Sequence, residues 1–152
     1  MITKPRYFEL TEFIDSSTAR QKSIQNAPTW EVVEHLLELC RFLDDLREAW
    51  SRTPAGKGTG LRVSSGYRCP ALNTAVGGVK NSAHMRGDAA DLVPSNGKID
   101  EFIKFLKNWL PKYERGFDQC IVESKKGSRW VHFSNYGAGG GQRRQLFDLV
   151  VK

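Results

Sequence analysis

The sequence lacks a long apolar run. No stretch within its 152 residues approaches the roughly 20 consecutive apolar residues of a membrane-spanning helix. The first residues, Met1–Arg6, show no apolar core of the kind found in secretory signal peptides. We therefore expect a protein that is made in the cytoplasm without a signal peptide and that acts elsewhere only after release.

Cysteine is scarce and occurs without a pairing pattern. The three cysteines, Cys40, Cys69 and Cys120, are odd in number and widely spaced, and no Cys-x-x-Cys pair occurs. Their spacing argues against a disulfide framework and against a thiolate zinc site. Cys40 and Cys120 lie in apolar stretches and are predicted to be small core residues. Cys69 follows a predicted turn and has no neighbouring base in the sequence that would make it a nucleophile.

Blocks of like charge are missing too, although the chain is basic. The net charge is +6, but the lysines and arginines are scattered, and no run of five or six occurs. A specific nucleic-acid binder is therefore not predicted, and a nucleic-acid function would rest on charge alone. General attraction to an acidic polymer, including an anionic cell wall, explains the charge as well.

Length and pattern predict one α+β domain. The chain is long enough for one core and too short for two comfortable ones. The strongest helix is predicted over residues 29–50, capped by Thr29, and a second one over residues 99–110. Helices and strands mix without regular βαβ alternation, which favours a single compact domain with a small antiparallel sheet and flanking helices. We expect residues 1–28 to be an N-terminal extension that packs on this domain.

The strand signals are shorter. They fall at 61–65, 91–93, 118–123 and 129–134, the last two forming a hairpin around Lys125–Ser128. Residues 145–151 fit a strand or a helix, and residues 79–90 are predicted to be irregular.

Two of the only three histidines stand near small residues and a carboxylate. His84 and Asp91 are seven positions apart, with small residues between them, and His132 lies in the predicted hairpin. Together they supply two imidazoles and one carboxylate, a ligand set for one catalytic zinc with a fourth position left for water. The alternative is a chance pairing in which the aspartate caps a turn. His35 lies beside the apolar face of a lone helix and is interpreted as structural.

The hairpin supplies a candidate general base. If Ser124 pairs with Arg129, then Ile121 pairs with His132, and Glu123 lies diagonally from that histidine on the same face. A shift of one residue would move Glu123 to the opposite face.

Several motifs in order resemble a known family. Ser82-x-His84-x-x-Gly87-x-Ala89-x-Asp91 is preceded by Ser-Gly-Tyr-Arg at 65–68 and followed by Trp-Val-His at 130–132. This set resembles the D-alanyl-D-alanine carboxypeptidase family of zinc peptidases, which includes cell-wall dipeptidases and phage endolysins. The N-terminal helix and residues 142–145 are similar to the small phage and prophage branch.

The resemblance implies a small α+β zinc fold with His84, Asp91 and His132 as the ligands of one zinc ion. It also implies that Arg68 binds substrate and stabilises the developing oxyanion, a task that suits a planar, permanently charged guanidinium. Ser82 either contacts the substrate or uses its hydroxyl to bond the backbone of a turn.

One position departs from the family pattern. Many members carry the catalytic acid three residues before the last histidine, where this chain has Arg129. Either Glu123 is the base, which we predict, or the chain binds zinc without efficient hydrolysis, as a wall-binding or virion structural module.

The predicted function is a monomeric zinc metallopeptidase that cleaves stem peptides of bacterial peptidoglycan. Both a D-Ala-D-Ala carboxypeptidase and an L-Ala-D-amino-acid endopeptidase fit, and the loops at 53–60 and 135–142 are candidates for setting the choice. Such an enzyme would reach the wall after release or as a phage component.

Overall fold

The computed structural model describes residues 4–152 as helices around one five-stranded sheet. The elements in chain order are α1 Leu10–Ile14, α2 Ser17–Gln21, α3 Trp30–Ser51, β1 Leu61–Ser65, α4 Pro70–Ala75, β2 Ala89–Pro94, α5 Ile99–Trp109, β3 Gln119–Lys125, β4 Ser128–Ser134 and β5 Gln145–Val150. Short 3₁₀ turns occur at Ala83–Arg86, Leu110–Lys112 and Ala138–Gly140. Within these described residues, no helix is long and apolar enough to cross a membrane.

The sheet has the strand order β1-β2-β4-β3-β5. Its first four strands are antiparallel, whereas β5 pairs in parallel with β3. The α+β class and the single compact domain are confirmed, and the terminal segment is a strand rather than a helix. Because β5 runs parallel to its neighbour, the small sheet that we expected to be antiparallel is mixed.

The core lies against one face of the sheet. Side chains alternate along a strand, so Cys120 and Val122 of β3 and Val131 and Phe133 of β4 all point to that face. Helices α3 and α5 cover it with their apolar stripes, and Trp50 packs edge-on against Phe102 with ring centroids 5.2 Å apart. The opposite face of the sheet stays open, and it carries the polar residues of the hairpin.

Helix α3 begins and runs as its sequence predicts. The hydroxyl of Thr29 accepts a hydrogen bond of 3.2 Å from the Val32 amide, which satisfies one of the free donors of the first turn. His35 lies 2.9 Å from a carboxylate oxygen of the buried Asp88, a contact that agrees with the structural interpretation. Cys40, also on this helix, is buried as predicted.

The cysteine predictions hold elsewhere as well. Cys120 is buried in the core, Cys69 is partly exposed, and all three thiols are free. Burial raises the pKa of Cys40 and of Cys120 to about 12, so both remain protonated and act as small apolar residues.

The prediction for residues 79–90 was wrong in part. A 3₁₀ turn occupies Ala83–Arg86, and β2 begins at Ala89, two residues earlier than expected. The Ser82 hydroxyl accepts a hydrogen bond from the His84 amide at 3.2 Å and so caps the turn. A four-residue turn has too few positions to show a period in the sequence, and this explains why the pattern reads as irregular.

The N-terminal segment contributes to the core. Phe8 and Phe13 are buried, and the Tyr67 amide donates to the Phe13 carbonyl at 2.6 Å. Asn26 bonds the carbonyls of Ile14 and Tyr67, each at 2.9 Å. The assignment of residues 1–28 as one extension stays a prediction, and its first three residues lie outside the described chain.

Candidate active site

The open face of the sheet brings the predicted site residues together. Asp91 of β2 pairs with His132 of β4, which pairs in turn with Ile121 of β3. Glu123 pairs with Trp130, one step along the hairpin. The predicted hairpin register is therefore confirmed, and it places Glu123 and His132 on the same face.

His84 comes from outside the sheet. The capped 3₁₀ turn directs its fully buried imidazole toward Asp91 and His132. Its Nδ1 lies 2.7 Å from the carbonyl oxygen of Gly66. Because a carbonyl only accepts, the ring proton is on Nδ1, and Nε2 presents a lone pair to the other two side chains.

The three side chains converge closely. The distance from His84 Nε2 to His132 Nδ1 is 3.2 Å, and each of these nitrogens lies 3.2 Å from Asp91 Oδ1. Donor atoms around a tetrahedral zinc lie roughly 3.3 Å apart when the metal–ligand distances are about 2.0 Å. The spacing of the three donors, their types and the fixed ring proton of His84 therefore fit a zinc ion.

The surroundings of His84 and Asp91 favour the unprotonated form of both groups. Burial lowers the pKa of His84, and the negative charge of Asp91 opposes this only in part. Although burial acts to raise the pKa of Asp91, the two neighbouring imidazoles hold it well below the usual carboxyl range. A metal ligand must be deprotonated to bind, so these shifts favour the binding of a cation.

Glu123 lies beside this cluster. Its Oε1 is 3.9 Å from His132 Nδ1, and its side chain is 18% exposed. Burial, together with the charge of Asp91, raises the pKa of Glu123 above the usual carboxyl range, while His132 and Arg68 act in the opposite direction. A raised carboxyl pKa brings a group closer to the range in which it can accept and return a proton near neutral pH.

Arg129 does not reach the site. It pairs with Ser124, one position along the hairpin from Glu123, so its side chain points to the other face of the sheet. There it forms an ion pair with Asp100 of α5. Arg129, at the position where the family resemblance implies an acid, is thus removed from the open face, and Glu123 is the carboxylate next to the cluster besides Asp91.

Arg68 closes another side of the site. Its backbone amide donates to the His84 carbonyl at 3.2 Å, and its Nη1 donates to Asn73 Oδ1 at 3.0 Å. Its Nε is buried and has no hydrogen-bond partner within residues 4–152. Burial lowers the pKa of Arg68, whereas the carboxylates of Asp91 and Glu123 raise it. The guanidinium therefore keeps a free donor close to the two acids.

A groove of about 990 Å³ opens above the cluster. The open sheet face forms its floor. Its walls come from residues 15–18, which connect α1 to α2 and begin α2, from the turn that carries His84, and from the loop after β4. Ser82 also lines the groove, although its hydroxyl already caps the turn. The volume is at the upper end of the roughly 300–1,000 Å³ found for ligand pockets.

Sequence reasoning missed residues that line the groove or hold the site residues in place. Asp118, buried at the start of β3, accepts three hydrogen bonds from Arg143, two of them from the guanidinium. Gly66 supplies the carbonyl that orients His84. Asn73 holds the Arg68 side chain. None of them stands in the spacing of metal ligands. Gly66, however, lies inside the Ser-Gly-Tyr-Arg motif at 65–68, in which Arg68 is the predicted substrate-binding residue.

Two imidazoles and a carboxylate at the base of an open groove form the arrangement of a hydrolytic metal centre. The sequence model of the Peptidase M15 family matches residues 6–138. The chain belongs to this family of zinc D-Ala-D-Ala carboxypeptidase-like peptidases, and the expected family is thereby confirmed. The comparison with curated proteins gives no match.

Proposed function

We propose that the protein is a zinc peptidase that hydrolyses a peptide bond in the stem peptides of bacterial peptidoglycan. The observation that carries the proposal is the convergence of His84, Asp91 and His132 with mutual donor distances of 3.2 Å, beside Glu123. Two imidazoles and one carboxylate, with room for a fourth ligand, suit zinc better than the harder cations, which prefer oxygen donors alone.

The residues around the cluster have distinct tasks. Bound zinc would acidify a water molecule and polarise the substrate carbonyl. Glu123 accepts the proton of the attacking water and returns it to the leaving amine, which its raised pKa favours. Arg68 lines the groove, and its guanidinium donates hydrogen bonds to the oxygen on which negative charge develops. Ser82 positions the His84 turn and lies where it can contact the substrate.

The family, the groove and the net charge support the proposed substrate class. The groove has a volume of about 990 Å³ and is lined by several separate segments of the chain, which is compatible with a peptide substrate. The net charge of +6 favours approach to an anionic wall polymer. We propose either a carboxypeptidase acting on terminal D-Ala-D-Ala or an endopeptidase acting after L-Ala. We further propose that the protein acts as a monomer on the wall, after release or as a phage component.

The first test combines metal content with product analysis. We expect the purified protein to contain one zinc per chain and to release peptide fragments from peptidoglycan, as identified by mass spectrometry of the digest. His84→Ala should lose both properties. His35→Ala is the matched control, because His35 contacts Asp88 outside the cluster, and it should keep both. A wild-type protein without zinc, or with zinc but inert toward peptidoglycan, would contradict the proposal.

A non-catalytic zinc module is the second candidate. It is favoured by one observation, the arginine at the position where many family members carry their acid. Glu123→Gln separates the two functions, since it removes the base without removing a ligand of the cluster. Loss of cleavage with zinc retained would rule out the non-catalytic module, whereas wall binding without cleavage in the wild type would establish it.

A further inference from the structure

The row of residues that contains the metal cluster continues onto β5. Ile121 pairs with His132 on one side and with Phe147 of β5 on the other. Glu123 pairs in the same way with Trp130 and with Leu149. Paired residues of neighbouring strands point to the same face, so Leu149 lies on the open face beside Glu123.

Apolar side chains flank Glu123 on the open face: Trp130 on β4, Leu149 on β5, and Ile121 two residues earlier on β3. Ile121 is nearly buried, Trp130 is partly buried, and Leu149 is 46% exposed. All three line the same groove as the metal cluster. A single exposed leucine on a protein surface needs no explanation. Here, however, the exposed side chain continues the floor of the groove next to a candidate catalytic carboxylate.

We propose that Leu149, with its diagonal neighbour Ile121, forms an apolar subsite that binds the aliphatic side chain of a substrate residue next to the scissile bond, while Trp130 borders Glu123 on its other side. The inference rests on the proposed function and names a specificity determinant for it. The occupant follows from continuity with the site. A peptide whose carbonyl lies over the metal cluster and whose chain runs past Glu123 places its next side chain over Leu149.

Leu149 lies beyond the region of this chain that matches its family. The match covers residues 6–138, whereas β5 spans Gln145–Val150. Its parallel pairing with β3 is what brings Leu149 next to Glu123. Leu149 is only 46% exposed, and Ile121, diagonal to it, is nearly buried, so the two side chains offer a small apolar shelf suited to the methyl group of alanine.

Leu149→Ala tests the subsite against a neighbouring control. Val150 is 75% exposed, and it points to the opposite face because side chains alternate along the strand. The substrates are a synthetic stem pentapeptide ending in D-Ala-D-Ala and versions with glycine in place of each alanine in turn. We expect Leu149→Ala to lower kcat/KM roughly tenfold for the alanine peptide, mainly by raising KM. Leu149→Met should restore the value, and Val150→Ala should leave it unchanged.

The glycine peptides decide whether the contact is specific. With glycine at the position that meets the shelf, wild type and Leu149→Ala should have the same kcat/KM, because the methyl group is missing in either case. An equal loss on every peptide, or no loss on any, would overturn the subsite. Zinc content of each variant shows whether the metal site is intact.

Binding measurements separate this proposal from the proposed function. Calorimetry with Glu123→Gln measures affinity for the same peptides without cleavage. If the wild type cleaves none of them, but the alanine peptide binds more tightly than its glycine version and Leu149→Ala abolishes that difference, the subsite stands and the peptidase function fails. If cleavage occurs without any dependence on Leu149, the function stands and the subsite fails. Absence of both binding and cleavage overturns both.

Discussion

At the scale of single residues, the site depends on a glycine as much as on its ligands. The Gly66 carbonyl fixes the ring proton of His84, and the backbone of Gly66 packs directly on Phe13. A Cβ added at Gly66 would lie 2.4 Å from the Phe13 carbonyl oxygen and 2.5 Å from its Cα. Both atoms belong to the backbone, so the segment that carries the Gly66 carbonyl would have to move.

Gly66→Ala is therefore expected to weaken metal binding without removing a ligand. Loss of a partner that orients a metal-bound histidine lowers metal affinity about 10–100-fold, and zinc titration against a competing chelator measures the change. Gly141→Ala is the control, because a Cβ at Gly141 meets no atom within 4 Å. Unchanged zinc affinity in Gly66→Ala would show that the carbonyl does not orient the histidine.

The residues with side-chain chemistry could be predicted, whereas those acting through the backbone could not. The sequence signals the metal ligands through histidines, which are rare in this chain, and an ordered motif that includes His84, Asp91 and His132. The alternation of side chains along the hairpin strands predicts that Glu123 lies on the same face as His132. The Gly66 carbonyl carries no such signal, because every residue has one. Its role appears only when the fold brings it to His84, 18 positions further along the chain.

A second residue-scale prediction concerns Asp118 and its pH dependence. Hydrogen bonds from Arg143 hold the pKa of this buried carboxyl below its usual range, although burial opposes the shift. A depressed pKa in the folded state stabilises the protein above the unfolded carboxyl pKa of about 3.9, and this contribution is lost as the pH falls through the folded value.

Arg143→Ala should thus lower the free energy of unfolding by about 1–2 kcal/mol at pH 7. The loss is smaller than for a fully buried ion pair, because the arginine is largely exposed and solvent screens its charge. The deficit should shrink progressively below about pH 4. Urea unfolding at several pH values measures it, with Arg144→Ala as a control that removes the same charge one residue further on. A deficit that is constant with pH would contradict the assignment to Asp118.

At the scale of elements, the β3–β4 hairpin sets the register on which the site depends. Its two-residue turn consists of Lys126 with a φ of 49° and Gly127 with a φ of 84°. Two positive φ values in succession define a turn whose twist matches the flanking strands. Glycine adopts this conformation without strain, whereas lysine does so at some cost.

Substitutions at the two residues of this turn are expected to change the stability of the fold in opposite directions. Lys126→Asn should raise the melting temperature slightly, because asparagine tolerates the left-handed region. Gly127→Ala should cost about 1 kcal/mol through backbone strain alone, since a Cβ there meets no atom within 4 Å. Thermal unfolding compares them with Gly141→Ala, where φ is −81° and no such strain arises. Equal melting temperatures for the two glycine variants would contradict this origin.

The elements also differ in how far the sequence determines them. Helix α3 and the hairpin have local signals, namely a cap with a long apolar stripe and a turn between alternating strands. Segment Gln145–Val150 is short and fits either a strand or a helix by itself. Its parallel pairing with β3 depends on contacts distant in sequence, which is why neither its direction nor the role of Leu149 could be derived from the pattern.

At the scale of the whole molecule, the two faces of the sheet have different roles. Its covered face supports the core against α3 and α5, and its open face carries the metal cluster. The cluster joins the turn of His84 to strands β2 and β4, and the carbonyl of Gly66 adds the segment after β1. A bound metal would therefore cross-link these chain segments on the open face of the sheet, whereas the apolar core holds the sheet from its covered face.

Zinc should consequently stabilise the folded chain as a whole. A ligand that binds only the folded state adds about 2.7 kcal/mol at 100 times its dissociation constant. For a domain of this size, that free energy raises the melting temperature by roughly 5–10 °C. Scanning calorimetry with zinc and with a chelator measures the difference. His84→Ala should melt at the same temperature in both conditions, whereas His35→Ala should respond like the wild type, since it removes a histidine outside the cluster. A zinc response that persists in His84→Ala would place the metal elsewhere in the chain.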